Sequence, residues 1–301
     1  MSPPPAPRLA LGTVQFGLTY GLYHSGAPLA RDEARAVLEA AWRGGIDLLD
    51  TGAAYGDAER AIGEARPPHA RFAVVSKTPP LRLRAVDSEA AARTADGVRR
   101  SLELLRIEAL DGLLVHHAPD LLVPGGDGLF RVLEGLRREG LVRRLGVSVY
   151  DAATLKAVLD RYPVQIVQLP LNLLDQRFVR DGTVAQLARA GIEVHARSVF
   201  LQGVLLADMV QVPAHLAGAR QCIARLHAHC AASDMSRAAA ALRFVARCAG
   251  VSRIVIGVNN AAQLGENLAA FAAATAAGGD FDTSDFALED ADIIDPRRWP
   301  Q

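Results

Sequence analysis

The stretch Arg31-Asp-Glu-Ala-Arg-Ala-Val-Leu-Glu-Ala-Ala-Trp-Arg-Gly-Gly-Ile-Asp-Leu-Leu-Asp50 contains the repeating unit of this chain. Ala34, Val37, Leu38, Ala41 and Trp42 follow the i, i+3, i+4, i+7, i+8 rule, so residues 31–43 read as a helix burying one face. The pair Gly44-Gly45 ends it, because glycine accepts the left-handed backbone that closes helices. Residues 46–50 are then too few for a helix and read as a buried strand that stops on a carboxylate.

Outward from this unit the same alternation continues. Short apolar runs of strand length stand at 9–14, 71–77, 111–116, 144–149, 165–169, 192–197 and 252–257. Helical spacing appears in Ala91, Ala95, Val98, Leu102 and Leu105, in Leu129, Val132, Leu133 and Leu136, and in Leu155, Val158 and Leu159 behind an Asp151 N-cap. Further helices are expected at 184–190, 235–249 and 261–274, and a long segment, 198–233, intervenes. Strands alternating with helices imply parallel βαβ units. Eight of them in 301 residues imply one α/β domain over 1–301, a closed (β/α)8 TIM barrel, with residues 1–8 as a disordered tail. The other α/β solution, an open doubly wound sheet, wants G-x-G-x-x-G directly after its first strand. Gly12-Thr-Val-Gln-Phe-Gly17 lacks that spacing.

Composition sets the wider bounds. With 50% hydrophobic and 22% charged residues the chain is globular in type, and 33 basic against 33 acidic side chains leave a net charge of +0. That balance argues against nucleic acid as a partner, which needs a basic surplus. No run of about 18 apolar residues suggests a membrane span. The three cysteines, Cys222, Cys230 and Cys248, have no paired or metal-type spacing and read as reduced thiols of a cytoplasmic protein.

In a barrel, reacting groups come from the C-terminal strand ends and the loops after them. Asp50, Lys77 and His116 close the second, third and fourth strands, and Tyr55 follows Asp50 in its loop; Ser148, Gln168 and Arg197 close the next three. Singly, each has an ordinary reading as a cap, a solvated charge or a packing residue. Jointly, Asp50, Tyr55, Lys77 and His116 make a proton-transfer set. A phenol is a weak acid, and an ammonium within reach favours its anion. A buried ammonium needs a carboxylate. A neutral imidazole can hold a carbonyl oxygen. A metal hydrolase using Asp50, His116 and His117 would want a His-x-His pair on one strand face, which is missing, because adjacent strand residues face opposite sides.

The segment Gly44-Gly-Ile-Asp-Leu-Leu-Asp50-Thr-Gly-Ala-Ala-Tyr55-Gly, with Glu59 and Gly63, resembles the signature of the aldo-keto reductase superfamily. Val75-Ser-Lys77, Asp111-Gly-Leu-Leu-Val-His116, Gly146-Val-Ser148, Gln168 with Asn172, Ser198 with Gln202-Gly203, and Gly257 with Glu266-Asn267 follow in order, over residues 9–271. The resemblance implies hydride transfer between NAD(P)(H) and an aldehyde, ketone, sugar or alcohol, with Tyr55 as general acid/base tuned by Lys77 and Asp50, and His116 on the carbonyl. It also implies that Ser148 and Gln168 hold the nicotinamide carboxamide, and that Arg197, Ser198, Gly257, Gln263, Glu266 and Asn267 line the cofactor path. The alternative is a cofactor-binding sensor of the same fold with little turnover.

Three positions depart from the family pattern. Arg197 stands where many relatives have an aromatic ring on the nicotinamide, and Val149 where many have Asn. Asn259, Asn260 and Gln263 stand where cations commonly clamp the 2′-phosphate. Family habit slightly favours NADP(H), with Arg253 or Arg243 as substitute clamps; the missing cations leave NAD(H) open. Tyr20, Tyr23 and His24, the prolines of 117–128, and Phe200 are expected to overhang the mouth and to suit a small polyol or sugar-like molecule. The C-terminal substrate loop is expected to be short.

Overall fold

Every one of the eight apolar runs is a strand of a closed parallel barrel in the computed structural model, which describes residues 6–23, 26–276, 278 and 282–300. The strands are β1 (Arg8–Gly12), β2 (Leu48–Asp50), β3 (Ala73–Lys77), β4 (Leu110–Val115), β5 (Val142–Ser148), β6 (Ile166–Pro170), β7 (Glu193–Arg197) and β8 (Val251–Gly257). Each pairs with the next, and β8 closes on β1 with Gly257 beside Gly12. The helices between them are α1 (Arg31–Arg43), α2 (Ala58–Ala65), α3 (Ser88–Leu105), α4 (Gly126–Arg138), α5 (Ala152–Leu159), α6 (Arg177–Arg180), α7 (Thr183–Arg189), α8 (Arg220–Ala232) and α9 (Arg237–Arg247); α10 (Ala261–Ala276) and α11 (Ala291–Ile294) follow β8.

Four helices were not legible as such: the single-turn α6 and α11, and the longer α2 and α8. The eight residues of α2 carry too few large apolar groups to show a period; Gly63 lets α2 approach the turn after α3, where a Cβ would sit 2.0 Å from the Leu104 carbonyl oxygen. The α8 stripe, Cys222, Ile223, Leu226 and Cys230, is buried but interspersed with Arg and His. Arg8 also departs from expectation. It opens β1, in register with Arg253, and pairs with Asp47 at 2.8 Å.

Alternation along the strands sorts the side chains into layers. Leu9, Leu11, Leu49, Leu113 and Val147 face outward into the helix-packed core. Ala10, Leu48, Val75, Leu114, Ile166 and Val255 form a separate apolar layer inside the barrel. Gly146 makes room for it, since a Cβ there would lie 2.2 Å from the Ile166 carbonyl oxygen. Below this layer the barrel is plugged by ion pairs: Arg144 with Asp111 and Glu193, Arg253 with Asp47 at 2.7 Å, and His195 with Glu193 at 2.9 Å. Above it, one step further along β2, β3 and β6, come Asp50, Lys77 and Gln168. The register thus sets two inward polar layers apart, the ion-pair plug at one end of the barrel and Asp50, Lys77 and Gln168 at the other.

Candidate active site

Asp50, 4% exposed, is the hub of the mouth. Its Oδ1 accepts from Lys77 Nζ at 2.6 Å and its Oδ2 from Gln168 Nε2 at 2.6 Å. Lys77 also donates to the Thr51 carbonyl at 2.8 Å and lies 5.0 Å from the centre of the Tyr55 ring. Burial works against the ammonium, yet Asp50 and Tyr55 outweigh it and hold the Lys77 pKa above its usual value. Glu59, buried on α2, accepts from Ser76 Oγ at 2.6 Å and so ties α2 to β3 below the site.

Tyr55 and His116 meet edge to face, with ring centres 5.7 Å apart. Burial raises the Tyr55 pKa; Lys77 pulls it down, but by less, and Asp50 adds to the rise. The expectation of a depressed phenol pKa is therefore corrected. Removal from water outweighs the ammonium, and Tyr55 stands as a neutral acid. His116 is lowered to about 4, first by burial and then by Lys77 and Arg197. His117 points elsewhere, its Nδ1 2.9 Å from Asp120 Oδ1. His116 therefore stays neutral at pH 5–8, and its imidazole NMR shifts should not titrate above pH 5. Because the unfolded chain takes up that proton near pH 6.5, this group makes the fold less stable as pH falls from about 6.5 to 4. An imidazole that titrates near 6.5 in the folded protein would contradict this placement.

The mouth opens into a cavity of about 550 Å³. Asp50, Tyr55, His116, Ser148, Gln168, Arg197, Ser198, Gly257 and Gln263 all line it; Lys77 lies beneath. Of the other positions expected along the cofactor path, Glu266 is exposed and Asn267 buried, both on α10 and outside the lining. Tyr20, Tyr23 and Phe200 also line the cavity, and Tyr23 Oη donates to the Gln211 carbonyl at 3.2 Å. His24 lies outside the described residues. The loop after β7 is strained, with Ser198, Leu201 and Gln202 all at positive φ.

Three polar atoms at the cavity wall are buried without a partner among the described residues: Gln15 Oε1, Gln168 Oε1 and His116 Nδ1. Unsatisfied buried groups are costly, so each marks a place where a bound group could supply the missing partner. Gln168 is the informative one. With its amide nitrogen held by Asp50, its oxygen can only accept, which suits the NH₂ of a nicotinamide carboxamide. Gln15 was not read from sequence as a site residue. It faces Gly257, where a Cβ would fall 2.7 Å from its amide nitrogen and oxygen.

Arg197 is committed to the protein. It donates to the Val149 carbonyl at 3.0 Å and to Ser198 Oγ at 3.3 Å, and its guanidinium lies 3.9 Å from the Tyr150 ring centre. Arg297 lies 3.5 Å from the same ring centre and is gripped by Asp295. The C-terminal segment thus reaches the mouth, which the expectation of a short loop did not foresee. Neither Tyr150 nor Arg297 carried a signal in sequence, since their juxtaposition is purely tertiary.

The proposed phosphate clamps are corrected. Arg253 is in the ion-pair plug at the opposite end of the barrel, with Asp47 and Glu193. Arg243 is buried on α9 and donates to the Gly278 carbonyl at 2.6 Å. At the start of α10, Ala261 N–H donates to Glu33 Oε1 at 2.7 Å, Gln263 N–H to Asn260 Oδ1 at 2.8 Å, and Asn259 N–H to Gln263 Oε1 at 2.7 Å.

The chain is similar to known proteins. The sequence model of the Aldo/keto reductase family matches residues 8–282. The chain is similar to pyridoxal 4-dehydrogenase of Microbacterium luteolum, at 30% identity over 87% of this chain and 89% of that one. It is 28% identical to D-threo-aldose 1-dehydrogenase of Pseudomonas sp over 86% of this chain and 90% of that one. The crystal structure of an aldo-keto reductase from Klebsiella pneumoniae in complex with NADPH superposes with a TM-score of 0.64 at 24% identity, covering 89% and 86% of the two chains. No helix among the described residues is long and apolar enough to cross a membrane. By family, barrel and named relatives, the chain belongs to the aldo/keto reductases, as an NAD(P)-dependent oxidoreductase acting on carbonyl and alcohol groups.

Proposed function

We propose that the protein interconverts a small aldehyde or ketone and its alcohol, with Tyr55 as the general acid/base. The observation that carries this reading is the chain of contacts from Gln168 through Asp50 to Lys77, ending under the Tyr55 ring beside a neutral His116. When bound, the nicotinamide supplies the hydride to the carbonyl carbon. His116 orients the carbonyl oxygen by a hydrogen bond, and Tyr55 Oη gives its proton to the oxygen as negative charge develops there. Lys77 stabilises the tyrosinate left behind, and Asp50 keeps Lys77 charged and in place. In the alcohol-oxidising direction the same tyrosinate accepts the proton. Addition of NADH or NADPH to the protein should quench its fluorescence at micromolar cofactor, and a carbonyl panel should then oxidise the bound cofactor. Absence of binding below millimolar cofactor for both would overturn the assignment.

The geometry at α10 favours NAD(H) over NADP(H), against the tilt of family habit. Free N–H groups at a helix start are a natural phosphate seat. Here protein acceptors take those of Ala261 and Gln263, and one of these acceptors is the Glu33 carboxylate. A 2′-phosphate would have to displace that charge, with no cation to replace it among the lining residues near Gln263. The parent should therefore show kcat/KM about tenfold higher with NADH than with NADPH. The double substitution Glu33→Gln, Asn260→Arg should move that ratio toward NADPH by about tenfold or more. A parent that prefers NADPH tenfold would show that phosphate binds at another place.

A further inference from the structure

Beyond His116, Ser148 and Tyr150, which it shares with the mouth cavity, lies a second hollow of about 650 Å³. The cofactor path expected from the family resemblance runs through the first cavity along Ser198, Gly257 and Gln263. The second is then the room left beside the reacting end of the site.

Its rim is held in an unusual backbone. Arg82, in the loop after β3, has φ +52, a left-handed conformation that a non-glycine residue holds only where its surroundings enforce it. A single carboxylate enforces it. Asp120, 1% exposed, accepts from Leu81 N–H at 2.8 Å and from Arg82 N–H at 2.9 Å, and braces His117. A buried charge spent on one turn fixes where the Arg82 side chain starts.

The charges around the hollow are otherwise satisfied. Asp151 caps α5 through the Thr154 N–H, Asp295 grips Arg297, and Arg298 pairs with Asp292. The Arg82 guanidinium has no ion pair or hydrogen bond among the described residues. Its charge still reaches the site: after burial, Lys77, Arg197 and the opposing effect of Asp50, it is among the groups acting on His116.

We propose that this hollow seats the tail of the substrate, and that Arg82 is a specificity-determining residue selecting carbonyl compounds that carry a carboxylate or phosphate. The proposal rests on the oxidoreductase reading of the Tyr55 site and adds its substrate class. A guanidinium fork matches either anion with two parallel hydrogen bonds. A turn fixed in advance reduces the ordering loss on binding.

Two matched pairs test this: 4-carboxybenzaldehyde against methyl 4-formylbenzoate, and 4-formylphenyl phosphate against 4-methoxybenzaldehyde. Each compound is assayed for cofactor oxidation and, separately, titrated calorimetrically into the cofactor-free protein, where no turnover intervenes. The anionic member should be favoured about tenfold or more in both readouts, and whichever pair shows the larger ratio identifies carboxylate or phosphate. In Arg82→Ala the preference for the anionic member should vanish, chiefly through its KM, and Arg82→Lys should restore part of it. A preference unchanged in Arg82→Ala, or absent from the parent, overturns the anion seat. An Arg82-dependent binding preference without any turnover would leave the seat standing and overturn the oxidoreductase reading instead.

Discussion

Tyr55→Phe should lower kcat for carbonyl reduction about 10³-fold, with cofactor affinity unchanged. The reason lies in the surroundings of the ring. Burial keeps the phenol protonated, and Lys77, the cation beneath it, is fixed by Asp50. His116 cannot take over as acid, since at about pKa 4 it carries no spare proton at neutral pH. Phenylalanine keeps the edge-to-face packing on His116 and removes only the hydroxyl. Initial rates of cofactor absorbance loss, with cofactor fluorescence titration as control, separate chemistry from binding. Retention of more than a tenth of parental kcat would mean that the proton comes from another group, such as a water held in the mouth.

Asp50→Asn should destabilise the fold by about 3–5 kcal/mol, because it leaves the buried Lys77 ammonium without its counter-charge. Lys77→Met on its own strands the carboxylate in the same way. The double variant Asp50→Asn, Lys77→Met should be more stable than either single one, since no buried charge remains. Urea unfolding of all four proteins forms a double-mutant cycle, and additive losses would show that the pair is not coupled. The pH dependence has a definite sign. The folded-state pKa of Lys77 is raised, so its contribution is complete below the unfolded value of about 10.4 and is lost as pH rises through the folded value. The gap in urea midpoint between the parent and Lys77→Met should therefore narrow only in strongly alkaline solution.

The barrel was legible because period and length are local properties. A thirteen-residue amphipathic stripe ending in Gly44-Gly45 has one reading, and repetition of the unit decides the architecture. The catalytic candidates were legible for a related reason. In a parallel barrel every C-terminal strand end faces the same mouth, so Asp50, Lys77 and Gln168 need no long-range information to be placed together. The alternation that buries Leu49 outward turns Asp50 inward.

Electrostatics and loop partnerships were not legible in this way. The sequence contained Lys77 and Tyr55, but the sign of the Tyr55 shift depends on how much water burial removes, and that is a property of the closed mouth. Arg253 looked as available to a phosphate as any arginine until the register of β8 put it at the floor of the barrel, beside Asp47 and Glu193. Arg197 and Arg297 face one tyrosine ring from positions 100 residues apart in the chain. Asp120 reaches back to Leu81 and Arg82 to set a single turn. The sequence alone determined the (β/α)8 barrel, the mouth and the four groups expected to move a proton there. Only the tertiary structure decided which of those groups is charged, which arginines around the mouth are held by other side chains and where a second hollow adjoins the site. Burial and contacts across the chain act through space, and no local pattern of residues encodes them.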